Sequence, residues 1–258
     1  MKMLTLARDL RRRKARERQG LFVAEGVRTV EELLRTPVAV RGALVAPQLA
    51  ATPRGAALRD ALDAARVTVA EVSDADLATA ADTESPQGVV VVAEQLRRRL
   101  DDLRLDAVAR LLVLDGLQDP GNAGTLLRTA AALGVSATLA LPGTVDLWSA
   151  KVVRSAMGAA FHHPTVSCTA GDLAAFLAGL GAPLWAADGA GEPVARAALE
   201  APPRLAIAVG NEGAGLSDAV RASADRLVAI PTTGLVESLN AATAAIVLYE
   251  LRPPSLRA

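Results

Sequence analysis

The sequence predicts an α/β fold in two parts, and three observations predict it. Short apolar runs of strand length alternate with stretches of helical periodicity along nearly the whole chain. The runs in the second part are almost continuously apolar, as strands of a parallel sheet covered on both faces must be. Between the parts lies EQLRRRLDDLRLDA (94–107), dense in charge, which reads as a linker or linking helix. The expected division is a small α/β domain over 1–93, the linker over 94–107 and a second domain over 108–258. A chain of 258 residues, 51% of them hydrophobic, can bury a core in each.

In the first part LFVAE (21–25) is a short strand, and Val27, Val30, Leu33 and Leu34 then recur at helical spacing. ALVAP (43–47) reads as a strand ending at proline and RGAALRDALDAA (54–65) as a helix. VTVAEV (67–72) is a strand, Asp74 the expected N-cap of the next helix, and VVVVA (89–93) a buried strand. In the second part LLVLDG (111–116) is a strand, followed by a helix from about Thr125 to Leu133 that Gly134 stops. ATLAL (137–141), LWAAD (184–188), LAIAVG (205–210) and LVAIP (227–231) are further strands, with a helix near 147–158. The last helix runs from about Ser238 to Leu251, with Ser238 able to cap it and Leu239, Ala242, Ile246 and Tyr249 on its apolar side.

Composition narrows the function. Aromatics are 2% of residues, which argues against RNA binding on rows of stacking rings. Net charge is zero, yet seven basic residues stand between Arg8 and Arg18 against only Asp9 and Glu17. Such a run is either a solvated helix face or an electrostatic footprint for phosphate. One cysteine, Cys168, and two adjacent histidines allow no disulfide framework and too few ligands for a metal cluster, so no metal is expected. The start lacks the apolar segment of a secretory signal and no stretch suits a membrane span. A cytosolic protein is expected.

Three segments place polar and glycine residues where a strand has just ended, the position at which open α/β sheets bind ligands. LDGLQDPGNAGTLLRTAAALG (114–134) holds an Asp-Pro-Gly-Asn turn sequence, then Gly124, then Arg128 one helical turn later. AVGNEGAGLS (208–217) has three glycines in the order G-x-x-G-x-G around Asn211 and Glu212. That order, with no acidic residue about 20 positions on, is not the dinucleotide fingerprint. AIPTTGLVESLNAATAAIVLYEL (229–251) carries Gly234, Glu237, Ser238 and Asn240 between a strand and a helix. Taken singly, Arg128 could be a surface arginine and Ser238 a plain helix cap.

Together, in this order, the segments resemble the three signature motifs of the SpoU (TrmH-type) branch of the SPOUT methyltransferases. Asp119, Pro120, Asn122, Gly124, Arg128, Thr129 and Ala130 match the family's D-P-x-N-x-G-x-x-x-R-T-A. Gly210, Asn211, Glu212, Gly215 and Leu216 match G-N-E-x-x-G-L. Ile230, Pro231, Gly234, Glu237, Ser238, Leu239 and Asn240 match I-P-x-x-G-x-x-E-S-L-N. KVVRSAMGAAFHHP (151–164) is similar to the family's R-x-S-x-G-x-x-F stretch. RRRKARERQGLFVAEGVRTVEELL (11–34) and TESPQGVVVV (83–92) are similar to the opening and closing motifs of an L30e-like substrate-binding domain that precedes the catalytic domain in this family.

The resemblance implies a SPOUT domain with a parallel sheet and a deep trefoil knot, working as a homodimer. It implies S-adenosylmethionine as cofactor, bound mainly by backbone at Gly210, Ile230, Leu239 and Asn240, and methyl transfer to a ribose 2′-hydroxyl of RNA. Ribosomal RNA is favoured over transfer RNA because the L30e-like extension resembles that of the ribosomal enzymes. Arg128 is the key active-site residue, with Asn122, Glu212, Ser238 and Asn240 orienting it and shaping the pocket. A guanidinium stays charged at physiological pH, so an electrostatic clamp suits Arg128 better than a base. Arg11, Arg12, Arg13, Lys14 and Arg154 are the candidate RNA contacts. Two other readings stand beside this one. A non-catalytic RNA-binding or ribosome-assembly protein on the same fold would fail to bind the cofactor. A nicotinamide-dependent oxidoreductase would need the glycine order that is missing.

Overall fold

The computed structural model describes residues 2–233, 235 and 244–253. The chain forms two compact units. The first holds the chain up to Arg97 together with Asp146–His162, and the second holds Arg98–Val145 and the chain from His163 onward.

The first unit has a four-stranded sheet of β1 (Leu21–Glu25), β2 (Val40–Val45), β3 (Val69–Glu71) and β4 (Val89–Glu94) in the order β1-β4-β2-β3. β4 lies antiparallel to β1 and β2, and β3 parallel to β2. The Val-rich run of β4 makes it the central strand, with Val89 through Ala93 fully buried. The basic N-terminal run is two helices, Lys2–Asp9 and Arg13–Gln19, not one. Leu10, 1% exposed, sits in the break between them and joins the core. Arg16 also turns inward: it pairs with Asp146 at 2.5 Å and donates to the carbonyls of Leu10 and Arg11 at 2.8 Å each. The segment 146–162 belongs to this unit for an aromatic reason as well. Phe22 packs against Trp148 at 4.8 Å and Phe161 at 5.8 Å between ring centroids, which gathers three of the chain's six aromatic rings into one cluster.

The second unit has a six-stranded, wholly parallel sheet: β5 (Ala109–Leu114), β6 (Ala137–Ala140), β7 (Thr165–Ser167), β8 (Leu184–Pro193), β9 (Arg204–Val209) and β10 (Arg226–Ala229). Their order is β10-β8-β9-β5-β6-β7, so β5 and β9 are neighbours in the middle and their C-terminal ends open side by side. Every residue of β5 and β6 is buried. Arg110 is buried too, and its guanidinium donates to the carbonyls of Leu251, Pro202 and Pro203.

Several elements differ from expectation. The helix expected from Thr125 begins at Pro120 and runs to Ala132, because Asp119 caps it by accepting from Asn122 N at 2.7 Å and Pro120 occupies its first position. The helix expected over 147–158 is Ala150–Ser155 and a separate turn Ala159–His162, divided by Met157 and Gly158, both at positive φ. Of the expected linker 94–107, Glu94 ends β4 and the rest contains no α-helix, only a 3₁₀ turn at Leu100–Asp102. Ser73 rather than Asp74 caps Asp74–Ala80. Of the last helix, Ala244–Glu250 is described, and it buries Val247 and Leu248 while Ile246 and Tyr249 are exposed. The expected cap Ser238, and the stretch 236–243 through which a C-terminal knot would be tied, lie outside the described residues.

Candidate active site

β5 ends at Leu114 and β9 at Val209, and the two loops that leave these strands are hydrogen-bonded to each other. Asp115, 5% exposed, accepts from Ser217 N at 2.6 Å. Asn211 Nδ2 donates to Gly116 O at 2.8 Å, while its Oδ1 accepts from Gly213 N and Ala214 N at 2.9 Å each. Glu212 completes the lacing. Its carboxylate accepts from Gln118 N at 3.2 Å, Asp119 N at 3.1 Å and Asn122 Nδ2 at 3.1 Å. Burial would push the Glu212 carboxyl upward, but these hydrogen bonds outweigh it and hold it below the usual glutamate value.

The glycine loop is tight for a stated reason. Asn211 N donates to Gly215 O at 2.8 Å and Gly215 N to Asn211 O at 3.0 Å. A Cβ on Gly210 would stand 2.4 Å from the Gly215 carbonyl carbon and 2.5 Å from Leu216 N. Gly215 itself has φ +73°, a left-handed value that side chains disfavour. The glycines thus serve the loop's own backbone before any ligand enters.

Helix Pro120–Ala132 presents Arg128 from this corner. Ala123, Gly124, Leu126, Leu127 and Ala130 face the core, whereas Thr125 and Arg128 are exposed. The Arg128 guanidinium makes no hydrogen bond or ion pair with a described residue. It is therefore an exposed cation on the helix whose first turn Glu212 holds. From β10 the chain continues through Ile230 to Thr233 without regular structure or a hydrogen bond to another described residue. Glu237, Ser238, Leu239 and Asn240 fall outside the described residues. Asp115 and Asn211 are the site residues that sequence reasoning left without a role. Their adjacency to the strand ends was the available signal.

The structure divides the candidate RNA contacts. Arg154 is ion-paired with Glu25, which is 3% exposed, and desolvation lowers the arginine's pKa. Arg11 donates to Thr79 O at 3.2 Å, Arg12 pairs with Asp9 and Arg13 with Glu17 at 2.7 Å, all at the surface. Lys14 is exposed. Exposed pairs of this kind contribute only about 0–1 kcal/mol, so phosphate can displace the acidic partner. Among the described residues no group of three or more His, Cys, Asp or Glu could hold a metal ion. No described helix is long and apolar enough to cross a membrane.

Comparison with known proteins bears on the same loops. Residues 109–249 match the SpoU rRNA Methylase family, and residues 4–91 match the MRM3-like substrate binding domain. The chain is 32% identical over 247 residues to the 23S rRNA (guanosine(2553)-2′-O)-methyltransferase RlmP of Bacillus subtilis, covering 95% of this chain and 94% of that one. It resembles the SpoU methyltransferase AviRb of Streptomyces viridochromogenes in complex with the cofactor AdoMet, at TM-score 0.86 and 28% identity, over 96% of each chain. It also resembles an AdoMet-bound rRNA methyltransferase of Sinorhizobium meliloti, at TM-score 0.84 and 28% identity, over 96% of this chain and 93% of that one. With motif residues laced at the strand ends and the family match spanning more than half its length, this chain belongs to the SpoU rRNA methylase family.

Proposed function

We infer that this chain transfers a methyl group from S-adenosylmethionine to a ribose 2′-hydroxyl of ribosomal RNA. One observation carries the reading: Glu212 ties the glycine loop to the start of the helix that holds Arg128, at the C-terminal ends of two central strands. Ribosomal RNA follows from the relatives, RlmP being named for a 2′-O-methylation of 23S rRNA.

The residues present fit the cofactor. Around Gly210 and Ile230 the chain offers loop backbone rather than free carboxylates, since Asp115 and Glu212 are occupied by N–H donors. Neutral backbone groups of this kind can meet the edge of an adenine. Gly210, Ile230, Leu239 and Asn240 would hold the cofactor, which when bound supplies a methyl group on a sulfonium. What the chain must add is alignment, which can supply up to roughly 7–11 kcal/mol in favourable cases. Arg128 is permanently charged, so it holds the RNA phosphate and stabilises the developing 2′-alkoxide instead of removing the proton. Water or the RNA phosphate takes that proton. Asn122 and Glu212, with Ser238 and Asn240, position the arginine and shape the pocket.

The reading includes a homodimer acting in the cytoplasm, and the exposed Ile246 and Tyr249 on the last helix suit a second copy. The test is twofold. Calorimetry should show micromolar S-adenosylmethionine binding. Mapping of 2′-O-methyl positions in total RNA, with and without the gene, should show one ribosomal position lost. Cofactor binding with no lost position would refute the assigned substrate, and absence of cofactor binding would leave only an RNA-binding protein.

A further inference from the structure

The first unit contains a cleft that the methyl-transfer reading does not use. It opens at one end of the four-stranded sheet, beside the end of β1 at Glu25, the loop after β2 at Gln48 and the approach to β4 at Gln87. Its volume is about 560 Å³, within the range of small-ligand sites of roughly 300–1,000 Å³. Arg154 and Met157 close one side.

The lining is chemically mixed. Arg154 is paired with the buried Glu25 and lies 3.9 Å from Asp82, and Arg54 is paired with Glu31. Arg28, exposed on the rim, has no hydrogen-bond partner among the described residues. It stands in the first turn of the helix Val27–Leu34, whose N-cap residue is Gly26 and has no side chain of its own to offer. Gln87 Oε1 accepts from Val27 N at 2.9 Å, which fixes the side chain and leaves its amide N–H groups without a described partner. The Gln48 amide makes no side-chain hydrogen bond to a described residue. Met157 is 41% exposed at φ +49°, an unusual backbone value for a residue other than glycine, and it brings a thioether to the wall.

We propose that this cleft receives one unpaired nucleotide of the RNA substrate. Arg28 takes its phosphate, Met157 lies against the face of the base, and the amides of Gln48 and Gln87 read the base edge. The chemistry matches the way proteins read single-stranded RNA, by an unstacked base held on a polarizable or planar surface and hydrogen-bonded at its edge. An amide side chain offers both a donor and an acceptor to such an edge. In a chain with so few aromatic rings, three of them packed together in the Phe22 cluster, the thioether supplies the stacking surface. The proposal rests on the reading of this chain as an enzyme acting on RNA.

The experiment uses the full chain and an unmodified 23S rRNA transcript carrying 4-thiouridine. On irradiation, crosslinks should fall in peptides spanning 83–88 or 150–157. The double variant Arg28→Gln, Gln48→Ala should bind the transcript at least tenfold more weakly, with unchanged melting temperature and S-adenosylmethionine affinity. Met157→Asn tolerates the left-handed backbone while removing the thioether, and should weaken binding severalfold. Free nucleoside monophosphates at micromolar concentration should not compete. Competition at that level would make the cleft a free-nucleotide site and overturn the RNA assignment. Undiminished RNA affinity in all variants, with crosslinks only elsewhere, would overturn the cleft. Failure of the methyl-transfer reading would look different: the wild-type chain would bind no cofactor and methylate no RNA.

Discussion

Glu212 and Asn122, 90 residues apart, meet through a 3.1 Å hydrogen bond from the amide Nδ2 to the carboxylate Oε1. The same oxygen accepts from Asp119 N, so one carboxylate fixes both the cap and the first turn of the helix bearing Arg128. Hydrogen bonds to a charged group contribute about 1.5–3 kcal/mol each when fully formed, and less where partly exposed as here. Glu212→Gln keeps one acceptor oxygen and loses the charge. Turnover should fall at least tenfold, about 1.4 kcal/mol, with S-adenosylmethionine affinity changed much less. Because the folded carboxyl titrates below the ordinary value, its contribution is present above the unfolded pKa and lost as pH falls through the lowered one. The variant's melting temperature should therefore converge on wild type in acid. A constant gap across that range would refute the clamp.

Arg128 is exposed and outside the helix's packed face, so its loss should not unfold the unit. Arg128→Ala should leave cofactor affinity nearly unchanged and slow single-turnover transfer by roughly two to three orders of magnitude, the scale for one lost preorganised donor. Arg128→Lys keeps charge but not the planar fork and should recover only part of the rate. A folded Arg128→Ala enzyme of near-normal rate removes the residue from the mechanism.

Gly210→Val offers a contrast. Its Cβ would collide with Gly215 and Leu216 backbone, so the loop must shift before any ligand binds. The expected outcome is lower stability together with lost cofactor binding, seen as a reduced melting temperature and no calorimetric signal. A variant of normal stability that has lost binding would show that the loop has room and that the side chain blocks the ligand directly.

His163, 4% exposed, shares a 2.8 Å hydrogen bond with Thr138 Oγ1. Burial, with a smaller effect from Arg98, lowers its pKa from 6.5 to about 4. The folded state therefore takes up no proton where the unfolded chain does. Stability is full above about pH 6.5, declines as pH falls toward 4 and is level below that. Between pH 7.5 and 5 the loss from this group should be roughly 2 kcal/mol. Urea unfolding of wild type against His163→Gln at both pH values measures it, and identical pH dependence in the two proteins would contradict the assignment.

Replacing Arg11, Arg12 and Arg13 by Gln tests the N-terminal surface. If phosphates displace the surface partners of these arginines, the Thr79 carbonyl, Asp9 and Glu17, RNA affinity should fall and the logarithmic salt slope should flatten by up to about 2 for three contacts on single strands. Cofactor affinity should not move. An unaltered slope would leave these arginines as a solvated helix face.

Much of this was decided by the sequence itself. Apolar runs such as LLVLDG and VVVVA had to become buried strands, because no other arrangement hides so many adjacent apolar side chains. The first two motif segments also lay at strand ends by sequence alone, since each follows such a run directly. Tertiary structure decided the rest. Asp-Pro-Gly-Asn carries both turn and helix-start chemistry. Here Asp119 caps the helix, Pro120 occupies its first position, and Glu212 accepts from Asp119 N. The basic run at Arg8–Arg18 looks uniform in one dimension, yet Asp146 draws Arg16 into the core and leaves its neighbours outside. Residues 146–162 carry a motif of the methyltransferase part but pack with the first unit, through Trp148, Phe161 and Arg154. Local sequence encodes periodicity, caps and turns. Which distant carboxylate or ring a side chain meets depends on chain crossings that only folding sets.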